Sequence, residues 1–353
     1  MMMDIADLLV LCVKEGASDL HISAGEPPII RRHGDIYKLD FPPLEPAEAH
    51  TLLYDIMNDR QRALFEERLE LDFSFTLPTI ARFRVNVFHQ RRGLAGVFRV
   101  IPEQIHTLDE LDAPAIFEKL ATLPRGLVLV TGPTGSGKST TLAAMIEHVN
   151  RHAPLHILTI EDPIEFVYTP KKALINQREL NSHTHGFAHA LRSALREDPD
   201  VILIGEMRDL ETISLALTAA ETGHLVLGTL HTNSAAKTID RILDAFPGNE
   251  KDMIRAMLSE SLQAVIAQTL IKRADGQGRV AAYEILLGTP AVRNLIREEK
   301  IPQIYSMMQT SRSTGMQTLD QHLLELVQKG IITPEEARKR AHDKALFQTA
   351  EVS

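Results

Sequence analysis

The sequence predicts an α/β protein with two domains and a smaller helical piece. Three observations carry this. Residues 1–101 mix helix and strand patterns; from 125, short apolar runs alternate with helical stretches; after about 288 the pattern is wholly helical. A length of 353 residues suits two domains of ordinary size.

Residues 4–15 place apolar side chains at 5, 8, 9, 12 and 13, a helical stripe that Gly16 closes. Residues 19–23 alternate and stop at Gly25-Glu-Pro-Pro28. Residues 82–88 alternate too, and 94–101 return after Arg91-Arg-Gly93, so the pair reads as a hairpin. A strand-rich α/β module is expected there. Residues 102–124, with Pro102, Pro114 and Pro124, read as a connector. Strands are then expected at 127–131, 156–161, 201–204 and 225–230. Helices are expected at about 138–152, 186–196 and 209–222. Apolar strands separated by helices indicate a parallel sheet covered on both faces. In the tail, Gly330 stops one helix and Thr333-Pro-Glu-Glu336 starts another, with an N-cap, a proline at N1 and early acids.

Composition excludes several classes. Apolar residues at 44% and charged residues at 24% suit a globular protein, and 19 Gly with 18 Pro exclude a collagen-like or disordered chain. Cys12 is the sole cysteine, so an intramolecular disulfide and a Cys-x-x-Cys zinc site are excluded. No apolar run approaches the roughly 20 residues that span a bilayer. Met1-Met-Met-Asp-Ile-Ala-Asp7 has acids where a signal peptide carries Lys or Arg, so a cytoplasmic location is expected. The net charge is −9, with both the first 110 residues and the remainder acidic. That argues against the broad basic surface used to bind duplex nucleic acid, though a local basic groove stays open.

The strongest motif is Gly132-Pro-Thr-Gly-Ser-Gly-Lys-Ser139, which fits G-x-x-x-x-G-K-[ST] between an apolar strand and a helix. Its glycines let successive backbone N–H groups face the β-phosphate, and the helix N-terminus adds its dipole. Gly132, Pro133, Thr134, Gly135, Ser136, Gly137, Lys138, Ser139 and Thr140 are therefore the expected nucleotide-binding residues. Lys138 would reach the β- and γ-phosphates and Ser139 would ligate Mg²⁺. Asp200-Val-Ile-Leu-Ile-Gly-Glu206 describes a buried strand that delivers a carboxylate to this loop. Glu206 is expected to hold Mg²⁺ through water or to polarise the attacking water; a solvated acid at a strand end is the plain alternative. Glu161 and Asp162 end the preceding strand, where strand C-termini line the ligand crevice, although Asp-Pro also starts simple turns. Thr229 and His231 follow the strand that His224 opens. His231 is placed to sense the γ-phosphate through water, against a purely structural histidine. His183, His185 and His189 lack a completing acid or thiol and read as loop and helix-start residues.

In this order, the phosphate loop, Ile160-Glu-Asp-Pro-Ile-Glu-Phe166, Ile204-Gly-Glu-Met-Arg-Asp209 and Gly223-His-Leu-Val-Leu-Gly-Thr-Leu-His231 resemble the secretion ATPases. These are the hexameric motors of type II and type IV secretion and of type IV pili. Gly16-Ala-Ser-Asp-Leu-His-Ile22 and Ala291-Val-Arg-Asn-Leu-Ile-Arg-Glu298 resemble segments that mark the pilus retraction branch, with Val292 where Ile is usual. The resemblance covers roughly residues 1–345. It implies a PAS-like N-terminal domain (1–101), a RecA-like ATPase core (125–287), a C-terminal helical region (288–353) and a homohexamer using ATP and Mg²⁺. It also implies an inner-membrane pilus platform protein as partner and a peripheral position at the cytoplasmic face of that membrane. A PilU-type paralogue would be a further partner. The resemblance carries Glu161, Glu206, and His224 with His231 over as site residues. It likewise assigns Arg84 and Arg99, otherwise ordinary strand-face charges, to the γ-phosphate. In the helix from Pro290 to about Glu299, residues 292, 295 and 296 form either a core stripe or a contact surface for retraction, with Arg293 and Arg297 exposed.

The rival readings are a PilU-type accessory, a pilus-assembly or secretion ATPase, a nucleic-acid motor and a nucleotide-binding scaffold. Assembly and secretion ATPases usually carry a longer N-terminal region and often a four-cysteine zinc element, both lacking here. Charge disfavours the nucleic-acid motor, and Glu161 and Glu206 weigh against a scaffold with little turnover.

Overall fold

The computed structural model describes residues 4–32, 34–101 and 104–347. Met1–Met3, which enter the signal-peptide reading, and Pro102 of the expected connector lie outside the described residues. Two compact units emerge. One takes the chain up to Gln104 together with Pro163–Val167; the other takes Ile105–Asp162 and the chain from Tyr168.

The first unit runs α1 (Ile5–Lys14), β1 (Asp19–Ser23), β2 (Ile29–Arg32), β3 (Asp35–Lys38), α2 (Pro46–Tyr54), α3 (Asp59–Arg68), β4 (Glu70–Leu77), β5 (Ala81–Gln90) and β6 (Gly93–Ile101). Asp4 caps α1, whose Ile5, Leu8, Leu9 and Cys12 are buried. The strands form one antiparallel sheet in the order β3-β2-β1-β6-β5-β4. Alternation along β5 sends Ala81, Phe83, Val85 and Val87 into the core and leaves Arg82, Arg84 and Asn86 on the other face. Arg84 and Arg99 are direct cross-strand partners, so both arginines stand on that outer face.

The second unit runs α4 (Ile116–Ala121), β7 (Gly126–Thr131), α5 (Lys138–His152), β8 (His156–Glu161), β9 (Leu174–Glu179), α6 (Phe187–Ala194), β10 (Val201–Ile204), α7 (Leu210–Glu221), β11 (Leu225–Leu230), α8 (Ala235–Asp244), α9 (Lys251–Ser261), β12 (Leu262–Lys272), β13 (Arg279–Leu287), α10 (Pro290–Arg297), α11 (Ile304–Thr310), α12 (Leu319–Gln328) and α13 (Pro334–Arg340). Its sheet has the order β13-β12-β7-β11-β10-β8-β9. All but β13 are parallel to their neighbours, the parallel sheet that apolar strands separated by helices predict. Every residue of β7, β10 and β11 is buried, as helices on both faces require. Residues 262–287, which the sequence pattern leaves undivided, supply the two strands that extend the sheet beyond β7. No helix among the described residues is long and apolar enough to cross a membrane.

The C-terminal segments follow their local signals. Thr333 accepts a hydrogen bond from the Glu336 amide, with Pro334 at N1, and Gly330 sits at φ 68° where the previous helix ends. On α10, Val292, Leu295 and Ile296 are buried, so this face is core. Arg293 departs from the expectation of an exposed side chain. Its guanidinium donates to the backbone carbonyls of Gly288, Ser259 and Glu260, which fixes it against the end of α9.

Candidate active site

Because β7, β8, β10 and β11 run parallel, their C-terminal ends meet at one edge of the sheet. The phosphate loop, Glu161, Glu206 and His231 arrive there together. The loop's glycines are conformationally required: Gly132, Gly135 and Gly137 have φ of 144°, 77° and 88°. A Cβ on Gly132 would collide with the Gln268 carbonyl oxygen, and one on Gly137 would lie 2.8 Å from Gln268 Nε2. Helix α5 starts at Lys138 without a side-chain cap, so its first amides face the loop's hollow. Lys138 Nζ donates to the carbonyls of Gly132 at 2.8 Å and Pro133 at 3.1 Å, spanning the loop. Ser139 is exposed and Thr140 half-buried. Ser136 is buried and its hydroxyl lacks a hydrogen-bond partner, while that hydroxyl would lie 2.6 Å from a Cβ on Gly132. An orphaned hydroxyl inside a glycine cradle at a helix N-terminus, with an accessible Ser139, fits a nucleoside triphosphate and its Mg²⁺.

Gln268 is a site residue that sequence reasoning missed. From β12, its amide nitrogen donates to Ser136 O at 2.8 Å and its amide oxygen accepts from Thr141 Oγ1 at 2.8 Å. One buried side chain thus braces both the loop and the first turn of α5. No sequence signal points to it, because its partners are 132 and 127 residues away.

Glu206 is clamped at both oxygens, by Arg208 Nη2 at 2.7 Å and His231 Nε2 at 3.0 Å. Burial alone would raise this carboxyl, but the hydrogen bond and charge of Arg208, with His231 beside it, hold it below the usual carboxylate range. Thr229 Oγ1 donates to Gly205 O at 2.5 Å and the Met207 amide to Thr229 O at 3.0 Å, so β11 fixes the turn that carries Glu206. Glu161 is 9% exposed and accepts from Thr159 Oγ1 at 2.6 Å and Gln177 Nε2 at 3.3 Å. Asp162 is exposed, so burial separates the two adjacent acids instead of presenting them as a matched pair.

Three expected residues belong to other parts of the fold than these strand ends. His224 precedes β11 at the end opposite His231, and its Nδ1 bonds to Ala219 O at 3.0 Å, closing α7. Arg84 and Arg99 lie on the first unit, each paired with an aspartate of its own sheet. His183 accepts from the Glu179 amide through Nδ1, a turn contact.

Sheet order, glycine cradle and clamped acid together define a P-loop ATPase of the RecA-like class. The chain belongs to the family described as type II/IV secretion system protein, whose model matches residues 2–339. It is 64% identical over 339 residues to the type IV pilus retractation ATPase PilT of Pseudomonas aeruginosa, covering 96% of this chain and 98% of that one. The type IV pilus ATPase PilU of the same organism is 42% identical, with coverage of 96% and 89%. Among solved structures, the pilus retraction motor PilT with bound ADP superposes with a TM-score of 0.90 at 48% identity, covering 97% of this chain and 98% of that one.

Proposed function

We propose that this ATPase powers type IV pilus retraction, the disassembly of pilin that underlies twitching motility. It works as a homohexamer on the inner-membrane platform protein at the cytoplasmic face, without nucleic acid and alongside a PilU-type paralogue. The observation that carries the reading is the near full-length identity to PilT, well above that to PilU. The division into a PAS-like domain at 1–101, a connector at 102–124, a core at 125–287 and a helical region at 288–353 belongs to the same reading; the end of the first compact unit at Gln104 supports its first boundary, while the second unit takes the core and the helical region together.

The chemistry follows from the chain's own groups. Loop amides and Lys138 take the phosphates, Lys138 leaving the carbonyls it now bridges. Ser139, with Glu161 or Glu206 through water, would hold Mg²⁺, which would supply charge neutralisation at the phosphates. Glu206 orients and polarises the attacking water, and His231 links that carboxylate to the end of β11. Arg84 and Arg99 bind the γ-phosphate, so ATP and ADP are distinguished and hydrolysis drives one unit against the other.

Deleting the gene in a piliated host tests the function. Retraction requires more surface pili with lost twitching; bald cells would point to an assembly ATPase instead.

A further inference from the structure

Gln268 on β12 and Tyr283 on β13 are direct cross-strand partners, so their side chains share one face of the sheet. Both turn to the first turn of α5: Gln268 bonds to Thr141, and the Tyr283 phenol is within hydrogen-bonding reach of the same hydroxyl. Ser136, Thr141, Gln268 and Tyr283 are all buried. Their donors and acceptors admit one arrangement. Ser136 O can only accept, so Gln268 turns its amide nitrogen to it and its amide oxygen to Thr141. That oxygen takes the single hydrogen of the Thr141 hydroxyl, which leaves Thr141 Oγ1 to accept from Tyr283. Burial pushes the phenol up to about 12, so it keeps the hydrogen it donates. Every donor in the chain then points toward the phosphate loop, and bonds so aligned reinforce one another.

Tyr283 is itself held from the C-terminal region. Its ring meets Phe117 of α4 edge-on with centroids 5.1 Å apart and stacks on His322 of α12 at 5.7 Å. Its amide donates to His322 Nδ1 at 2.9 Å, and its carbonyl accepts from Gln317 Nε2 at 3.1 Å. Burial pushes the imidazole down to about 4, which keeps it neutral and Nδ1 able to accept.

We infer that Tyr283 and His322 are positioning residues for the nucleotide: His322 fixes Tyr283, whose phenol holds the phosphate loop in shape through Thr141 and Gln268. The inference rests on the reading of residues 132–140 as the nucleotide site. Coupling of this kind is reciprocal, so a bound nucleotide should also tighten the seating of α12.

Calorimetric titration of the full-length protein with ADP and Mg²⁺, beside hydrogen exchange, tests this. Tyr283→Phe keeps the ring and removes the phenol. ADP affinity should fall about three- to ten-fold, the loss of one net hydrogen bond, with a cooperative melting transition retained. In a Gln268→Ala background the same substitution should cost no further affinity, because the chain is already cut. His322→Ala should weaken ADP by a similar factor, and His322→Asn, whose side-chain oxygen can accept from the Tyr283 amide, should recover part of it. Saturating ADP should slow exchange of the α12 amides in the wild type and less so in Tyr283→Phe. Wild-type ADP affinity in Tyr283→Phe, or an equal loss with and without Gln268, overturns the role of the phenol. Unchanged affinity in His322→Ala, equal loss in both His322 variants, or α12 exchange indifferent to ADP overturns the link to the C-terminal region. Undiminished ADP binding by Lys138→Ala would instead remove the underlying reading of the loop.

Discussion

Lys138 and Glu206 reach the same ligand by different chemistry, and their substitutions should separate accordingly. Lys138→Ala removes the ammonium that reaches the phosphates, so binding should weaken and hydrolysis stop. Glu206→Gln should leave binding nearly intact while turnover falls on the order of 10²-fold or more. Titration calorimetry beside phosphate release resolves the two, and near-wild-type turnover in the glutamine variant would end the role assigned to Glu206. Acidity offers a second handle on the same carboxyl. Because the folded protein holds it below its ordinary 4.5, its ion pairs stabilise the fold above that value and are lost as pH falls through the folded one. The difference in melting temperature between wild type and Glu206→Gln should therefore hold steady above 4.5 and shrink as pH falls below it. Gln268→Ala takes the side-chain donor from Ser136 O, worth about 1–3 kcal/mol when a buried group is left unsatisfied, and removes one partner of the Thr141 hydroxyl. A raised KM for ATP with a smaller change in kcat is expected, and an unchanged KM would show that the loop keeps its shape unaided.

Element by element, α10 divides by face, though not as charge alone suggests. Leu295→Ala should cost about 2–4 kcal/mol, the range for deleting a buried leucine side chain. Arg293→Ala should also lower the melting temperature, because it strips donors from three backbone carbonyls. Arg297 forms one exposed pair with Glu260, and its loss should stay below about 1 kcal/mol. Denaturant melts of the three variants check the order. Where local pattern decides structure, the sequence was readable: β7, β8, β10 and β11 are short apolar runs at sheet positions buried on both faces. Strand β9, Leu-Ile-Asn-Gln-Arg-Glu, has no such pattern, and only its pairing with β8 makes it a strand. The long apolar β12 follows α9 directly, so periodicity could not separate helix from strand there. At the site, the phosphate loop and Glu206 announce themselves by spacing. Gln268, and the capping role of His224, depend on contacts that no spacing encodes.

At the scale of the molecule, the two units each hold part of the expected chemistry. Arg84→Ala and Arg99→Ala should each cut turnover at least about 10²-fold with ADP affinity little changed, since ADP lacks the γ-phosphate. Equal loss of ATP and ADP affinity would make both arginines scaffold residues. A net charge of −9 further predicts that nucleic acid will not stimulate hydrolysis at any salt concentration. Strand β7, from which the phosphate loop springs, lies between β12 and β11 with every residue buried. Its amides should thus be among the last to exchange with deuterium, through openings close to global unfolding, whereas β3 and β9 at the sheet edges should exchange early. The seat of the nucleotide is in that sense the stillest part of its unit. Whatever stroke hydrolysis produces must be taken up by side chains and connecting loops around a strand that stays put, as a bearing stays fixed while its shaft turns.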